Sequence, residues 1–259
     1  MLLAIDVGNS DITLGIYSSE RWTTTWRIPA VSDLPHMFYS LKILDYFFER
    51  GLNREDVKTV VISSVVPALS EKFVHAVASL FDREPVVMGP DVYAKLPIKV
   101  LNPYEIGSDL VSNALAAYTH FKSSCVAVDF GTALTFTTVS SDGEILGVSI
   151  APGLKTAIKS LSQNTAKLFD VPLEIPSSVL GRGTIHAIQA GVLIGYEGMV
   201  KHMLERIRTE LNQPTLNTIA TGGLSSIIPS LHDVFTFVDP NLTLQGLKIA
   251  AEIFRPGRD

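Results

Sequence analysis

Short apolar runs separated by polar turns open the chain. Leu2 to Asp6 is one such run, Ile12 to Tyr17 a second, and Gly8-Asn9-Ser10 between them is a turn signal. Trp22 to Ile28 predicts a third strand. Two helices are expected next, at residues 34–50 and 68–81, the first ending at Gly51, a residue suited to a helix C-terminus. Val57 to Ile62 and Pro85 to Met88 read as short buried strands. Three strands followed by helix and strand units describe a mixed α/β layer structure.

Turn formers crowd residues 89–105, at Gly89-Pro90-Asp91, Leu96-Pro97 and Asn102-Pro103. A boundary drawn here gives lobes of residues 1–102 and 103–259. Ile106, Leu110, Ala114, Leu115, Tyr118 and Phe121 then follow a helical period. Cys125 to Asp129, Ala133 to Val139 and Glu144 to Ile150 repeat the three-strand opening. Ala4-Ile5-Asp6-Val7-Gly8-Asn9-Ser10 answers Ala127-Val128-Asp129-Phe130-Gly131-Thr132-Ala133 at an offset of 123 residues, close to half the chain. This spacing predicts two similar lobes from an internal duplication. Gly183 to Leu211 reads as one long helix, with Ala187, Gly191 and Gly195 on one line. Glycine inside a helix costs roughly 1 kcal/mol against alanine. A line of small residues therefore suggests a second helix in close approach, from another protomer or from this chain.

Composition removes several classes. With 46% hydrophobic and 18% charged residues, the chain is not a disordered tail protein. A net charge of −5 argues against a general nucleic-acid binder, which needs a basic face, and leaves only a local basic patch open. The single cysteine, Cys125, excludes an intrachain disulfide and a zinc site of several thiolates. Met1 to Asp6 has no basic n-region, and no apolar run approaches the length of a membrane span. The expectation is a cytoplasmic protein with neither nucleic acid nor membrane as partner.

The candidate chemistry lies in the two Asp-x-Gly hairpins. Glycine after a strand lets the chain turn tightly and lets a ligand approach, and the turn's amides form a concave anion site. Asn9, Ser10, Thr132 and Thr135 add side-chain donors. Asp6 and Asp129 would repel a bare phosphate. They fit if a cation lies between, as magnesium does when it takes one or two carboxylates plus phosphate oxygens. Two facing hairpins would grip a magnesium–nucleotide in a cleft between the lobes. The plainer alternative is two ordinary turns whose aspartates bond their own loops. Thr221-Gly222-Gly223-Leu224 follows a predicted strand, Thr218 to Ala220, and leads into a short helix. Its glycines could lie against a nucleoside ring or simply make a strand-to-helix turn. No Gly-x-x-x-x-Gly-Lys-Ser/Thr, His-Glu-x-x-His or Gly-x-Ser-x-Gly motif is present. Gly107-Ser108-Asp109 opens a helix on which Asp109 and Asn113 share a face. Asp109 could take a proton from a substrate hydroxyl, or merely complement the helix dipole.

At these residues the sequence resembles type III pantothenate kinases, of the sugar kinase, heat-shock protein 70 and actin superfamily. The resemblance rests on Asp6-Val7-Gly8-Asn9-Ser10, Asn102 to Asp109, Asp129 to Thr135, Ala151-Pro152-Gly153, Gly181-Arg182-Gly183-Thr184, Thr221 to Leu224 and Asp239 to Leu247, in that order. It implies two ribonuclease-H-like lobes with an interlobe nucleotide cleft, a homodimer, and ATP-dependent phosphorylation of pantothenate. Magnesium is implied with the ATP, and a monovalent cation, potassium or ammonium, beside it. By position, Asp109 matches the general base. Asp6 matches the aspartate that holds magnesium through water, and Asp129 the monovalent-cation ligand. Gly8, Asn9, Ser10, Gly131, Thr132, Gly222 and Gly223 fall to ATP. Tyr104, Gly107, Ser108, Arg182 and Thr184 fall to pantothenate, Thr184 across the dimer interface. The chain departs from the family pattern at Ser108 and Leu110, where Gly-Ala-Asp-Arg is usual, at Gly183, where asparagine is usual, and at Ser10-Asp11. The missing arginine belongs to the pantothenate site, where a charged hydrogen bond is worth roughly 1.5–3 kcal/mol. Arg182 is the candidate to replace it. Two other readings compete: a kinase of the same fold acting on another small hydroxyl compound, and a non-catalytic regulatory homologue that keeps the dimer.

Overall fold

A computed structural model describes residues 1–254. Strands β1 (Leu2–Val7), β2 (Asp11–Ser18) and β3 (Arg21–Pro29) form an antiparallel meander. Helix α1 (His36–Glu49) follows, then β4 (Thr59–Ser64), α2 (Pro67–Phe81), β5 (Val86–Val87), α3 (Pro90–Tyr93) and α4 (Ser108–Phe121). β4 lies parallel to β1 on the side away from β2, which gives the order β3-β2-β1-β4-β5. The two-residue period of the strands sorts their side chains. Leu3, Ile5 and Val7 join Ile12, Leu14 and Ile16 under Tyr39, Ile43 and Phe73 of α1 and α2. Asp6 therefore falls on the opposite face.

The second half repeats this plan. β6 (Cys125–Phe130), β7 (Ala133–Val139) and β8 (Ile145–Pro152) form another antiparallel meander. Then come α5 (Leu154–Asn164), α6 (Thr184–Gln189), a π-helical turn at Ala190–Ile194, α7 (Gly195–Glu210), β9 (Asn217–Thr221), β10 (Phe237–Val238) and α8 (Leu242–Ile253). β9 lies parallel to β6, and the sheet order is β10-β9-β6-β7-β8. Read from its meander outward, each sheet runs third, second, first, fourth, fifth. The duplication expected from seven residues thus extends to five strands in each half.

The compact units are Met1–Thr119 together with the segment from Leu242, and His120–Asn241. A split at residue 102 differs from this at both ends. α4 stays with the first unit, and α8 returns to pack on β1 and β4. Gly246 allows that return, because a Cβ there would overlap the Ser112 carbonyl of α4. The helix read as running from Gly183 starts at Thr184 and is broken into two α-helical stretches by the π turn. Among the described residues no helix is long and apolar enough to cross a membrane.

Candidate functional site

In the first unit the site is built at the start of α4. Gly107 precedes the helix, and its carbonyl accepts the amide of Val111 at 3.2 Å. The carboxylate of Asp109 folds back over Gly107 and accepts the Leu110 amide at 2.8 Å. A Cβ on Gly107 would stand 2.5 Å from Asp109 Oδ1, so only glycine leaves room for the carboxylate in this position. Burial raises the Asp109 carboxyl above its ordinary range, opposed by the hydrogen bond from Leu110. A carboxylate so placed is a better proton acceptor than an exposed one. Tyr93, at the end of α3, is buried nearby; burial and the charge of Asp109 push its phenol up to about 12. It stays protonated at neutral pH and is a hydrogen-bond donor in that region. Of the other residues expected at the substrate, Tyr104 is 88% exposed, and Ser108 turns its side chain inward to Ser63 and Ser64 of β4. Ser108 therefore does not offer its hydroxyl outward. Leu110 is buried in the apolar stripe of α4.

Asp6 closes β1 with Thr13 of β2 on one side and Ser63 of β4 on the other, all three on the face opposite the α1–α2 core. The turn after it is tight. The Gly8 amide bonds the Asp11 carbonyl at 3.1 Å, and a Cβ on Gly8 would come within 3.0 Å of that oxygen. Asn9 and Ser10 are exposed at its tip.

The second unit holds the matching arrangement. Asp129 closes β6 between Thr135 of β7 and Thr221 of β9. The Thr135 hydroxyl is buried with no hydrogen-bond partner. A carboxylate flanked by hydroxyl oxygens is a hard donor set suited to magnesium or a monovalent cation, and the orphaned hydroxyl fits a bound ion. Among the described residues there is no cluster of three or more histidine, cysteine or acidic side chains, so any ion here must share its ligands with phosphate or water. Gly222 has φ +90°, and a Cβ there would overlap the Asp129 carboxylate and the Phe130 backbone. Gly131 and Thr132 form the hairpin tip. The Thr132 carbonyl is taken by the Gly153 amide at 2.9 Å and the Thr156 hydroxyl at 2.7 Å, at the start of α5. Gly153 is indispensable to that contact, since a Cβ would stand 2.6 Å from Thr132 O. The expected helix after Gly222-Gly223 is absent: turns follow instead, so no helix N-terminus is available there, although Gly223 is exposed.

Arg182 and Thr184 sit on the rim of a cavity of about 670 Å³ floored by Leu161, Leu168, Ile188 and Val192. Ala187, Gly191 and Gly195 are exposed, and a Cβ on either glycine would meet nothing within 4 Å. Among the described residues, no part of this chain packs against those two glycines. The structure thus joins Asp6 with Ser63 and Ser108, and Asp129 with Gly131, Thr132 and Gly222. Sequence reasoning assigned no role to Thr13, Ser63, Tyr93, Gly153 or Thr221. Thr13 and Ser63 are marked only by their register opposite Asp6, whereas Thr221, opposite Asp129, was already part of the Thr221-Gly222-Gly223-Leu224 motif.

A family profile described as type III pantothenate kinase matches residues 2–206. A type III pantothenate kinase from Anaeromyxobacter sp. (strain K) is 40% identical over 252 residues, covering 97% of this chain and 99% of the relative. Among solved structures, a conserved putative Baf family transcriptional activator from Campylobacter jejuni superposes with a TM-score of 0.60 at 18% identity, covering 96% of this chain and 97% of that one. A putative 2-dehydro-3-deoxygalactonokinase from Sinorhizobium meliloti gives 0.59 at 12% identity, covering 100% and 98%. At these identities the two structures share the fold.

Proposed function

The chain belongs to the type III pantothenate kinase family, and from that premise we propose that it transfers the γ-phosphate of ATP to the primary hydroxyl of pantothenate. The observation that carries this reading is Asp109. Its carboxylate is held by the Leu110 amide, is raised by burial, and has its space kept clear by Gly107. Asp109 orients the hydroxyl and accepts its proton as the oxygen attacks the γ-phosphorus in line. Phosphoryl transfer asks little covalent chemistry of the protein, so positioning and charge neutralisation supply most of the acceleration. Magnesium, when bound with ATP, neutralises phosphate charge. Asp6 is the residue to hold it through water, and Asp129 with Thr135 is the place for potassium or ammonium. The amides and side chains of Gly8, Asn9, Ser10, Gly131 and Thr132 receive the phosphates. Gly222 keeps Asp129 accessible, and Gly223 lies against the nucleoside.

Pantothenate is proposed to contact Gly107, Asp109 and Tyr104 from one protomer and Thr184 from its partner. Arg182 serves the carboxylate that Leu110 cannot. A homodimer through α6 and the π turn is supported by the open faces of Gly191 and Gly195 and by the exposed Val179 and Leu180 that precede them in the chain; Ala187, on the same line, is met by Gly181 of this chain. A cytoplasmic location follows from the need for ATP. ADP release measured with pantothenate and with a panel of other small alcohols, in potassium, ammonium and sodium buffers, tests the reading. Turnover with pantothenate, greatest in potassium or ammonium, is expected. Turnover with another alcohol alone would transfer the assignment to that substrate.

A further inference from the structure

Ser108 is the first residue of α4 and the immediate neighbour of Asp109, yet its side chain is fully engaged inside the first unit. Its Oγ lies 2.9 Å from Ser63 Oγ, accepts the Ser64 amide at 3.0 Å, and lies 3.2 Å from the Ser64 carbonyl. A hydroxyl has one proton and two lone pairs. If Ser108 donates to the Ser64 carbonyl, it accepts from the Ser64 amide and from Ser63. All three capacities are then filled, and none is left for a ligand. Both Ser63 and Ser108 are buried, so these bonds are shielded from water. Ser112, one turn further along α4, returns its hydroxyl to the Ser108 carbonyl at 2.7 Å.

The partners matter as much as the bonds. Ser63 stands beside Asp6 in the parallel register of β1 and β4. The connection therefore runs from the strand carrying Asp6, through Ser63 and Ser108, to the helix carrying Asp109. The chain separation it spans is 44 residues or more, and much of the covalent route between β4 and α4 is irregular turns. Loops of that kind leave a helix end free to shift, whereas a buried hydroxyl bonded to a strand backbone fixes it in direction and depth.

We propose that Ser63 and Ser108 are positioning residues of the phosphoryl transfer, a hydroxyl clamp that sets the first turn of α4 on the end of β4 and so fixes Asp109 relative to Asp6. The inference rests on the reading of Asp109 as the base. Neither serine touches substrate.

The test compares the wild type with Ser108→Ala, Ser63→Ala, the double variant, Asp109→Asn, and Ser70→Ala as a control. Ser70 bonds the Ser64 side chain at 2.7 Å, not its backbone, so its loss removes a similar hydroxyl while the three bonds of Ser108 keep their partners. A misplacement of about 1 Å can cost on the order of 100-fold in rate. Ser108→Ala and Ser63→Ala are each expected to lower kcat about 10- to 100-fold. KM for ATP and pantothenate should stay within about two-fold, and the double variant should be little worse than either single one. A carbon-13 titration of the Asp109 carboxyl, assigned by its loss in Asp109→Asn, gives a readout that needs no turnover. In both clamp variants its midpoint should move toward the ordinary carboxylate value, while Ser70→Ala leaves it in place. Wild-type kcat and an unmoved titration in Ser108→Ala, with only a lower melting temperature, would overturn the clamp. If Asp109→Asn itself keeps full activity, the base assignment fails, and the titration still decides whether the serines position that carboxylate.

Discussion

Gly107→Ala probes the space around the proposed base with a single methyl group. Its Cβ would stand 2.5 Å from Asp109 Oδ1 and 3.4 Å from Val65 Cγ1. The valine contact is tight but tolerable; the carboxylate contact is not. The oxygen has to retreat by about half an ångström to an ångström to reach ordinary contact distance. That retreat weakens the 2.8 Å bond from the Leu110 amide, a charge-assisted bond worth roughly 1.5–3 kcal/mol. A displaced base loses on the order of 100-fold in rate per ångström. The expectation is a kcat lowered by about 10- to 100-fold, with KM for ATP unchanged. Gly107 sits at the N-cap of α4, where alanine is less favourable than glycine, so the melting temperature should fall modestly as well. Steady-state kinetics with varied ATP and pantothenate measure this. The same substitution in an Asp109→Asn background should cost almost nothing further, because both changes act through one carboxylate. A Gly107→Ala enzyme within two-fold of wild-type kcat would refute the claim that this glycine exists to make room for Asp109.

Asp109→Asn should lower kcat about 10²- to 10⁴-fold and raise the melting temperature at neutral pH. The folded carboxyl lies above its unfolded value of 3.8, so the native state holds the proton more tightly and the charged form costs stability as pH rises through that interval. Differential scanning calorimetry should find the gain at pH 7 and none below about pH 3.5. Gly131→Ala should fold normally, since its Cβ meets nothing nearer than 3.5 Å, and yet lose ATP affinity in calorimetric titration if the phosphates approach that backbone. Arg182→Ala should raise KM for pantothenate by roughly 10-fold or more while KM for ATP stays put; equal effects on both would remove Arg182 from the carboxylate. Gly191→Leu, on an uncovered helix face, should weaken self-association in sedimentation without lowering the thermal stability of a monomer, because the new side chain has open space around it within the chain.

The two meanders were legible because their first strands are short apolar runs, buried on both faces and bounded by turn residues, and because Asp-x-Gly recurs with the same strand context in both halves. The shared five-strand order was not, since β9 and β4 are joined to their meanders only by register. α5 does carry a helical period, Leu154, Ala157, Ile158 and Leu161, all packed on the second core, but its polar composition hid that stripe from a reading led by apolar runs. α8 escaped because Gly246 interrupts it, and that glycine has meaning only once Ser112 of α4 is known to lie against it. The boundary near residue 102 followed turn composition, whereas the compact units follow where α4 and α8 pack. At the site, Asp6, Asp109 and Asp129 were readable as acids beside glycines. Ser108 was expected at the substrate only through the resemblance to type III pantothenate kinases; its inward turn depends on Ser63 and Ser64, far away in sequence. The helix expected after Gly223 failed because the residues from Leu224 to Ser226 close successive turns before Pro229 begins a short 3-10 segment.

The central claim is that this chain moves phosphate from ATP to pantothenate with Asp109 as base. Mass-spectrometric analysis of the products formed from ATP, magnesium, potassium and pantothenate tests it directly. The wild type should yield phosphopantothenate and ADP in equal amounts, and Asp109→Asn should yield both at a rate lower by about 10²-fold or more while still binding ATP. ATP consumed without phosphopantothenate, or equal product from the Asp109→Asn enzyme, would contradict it.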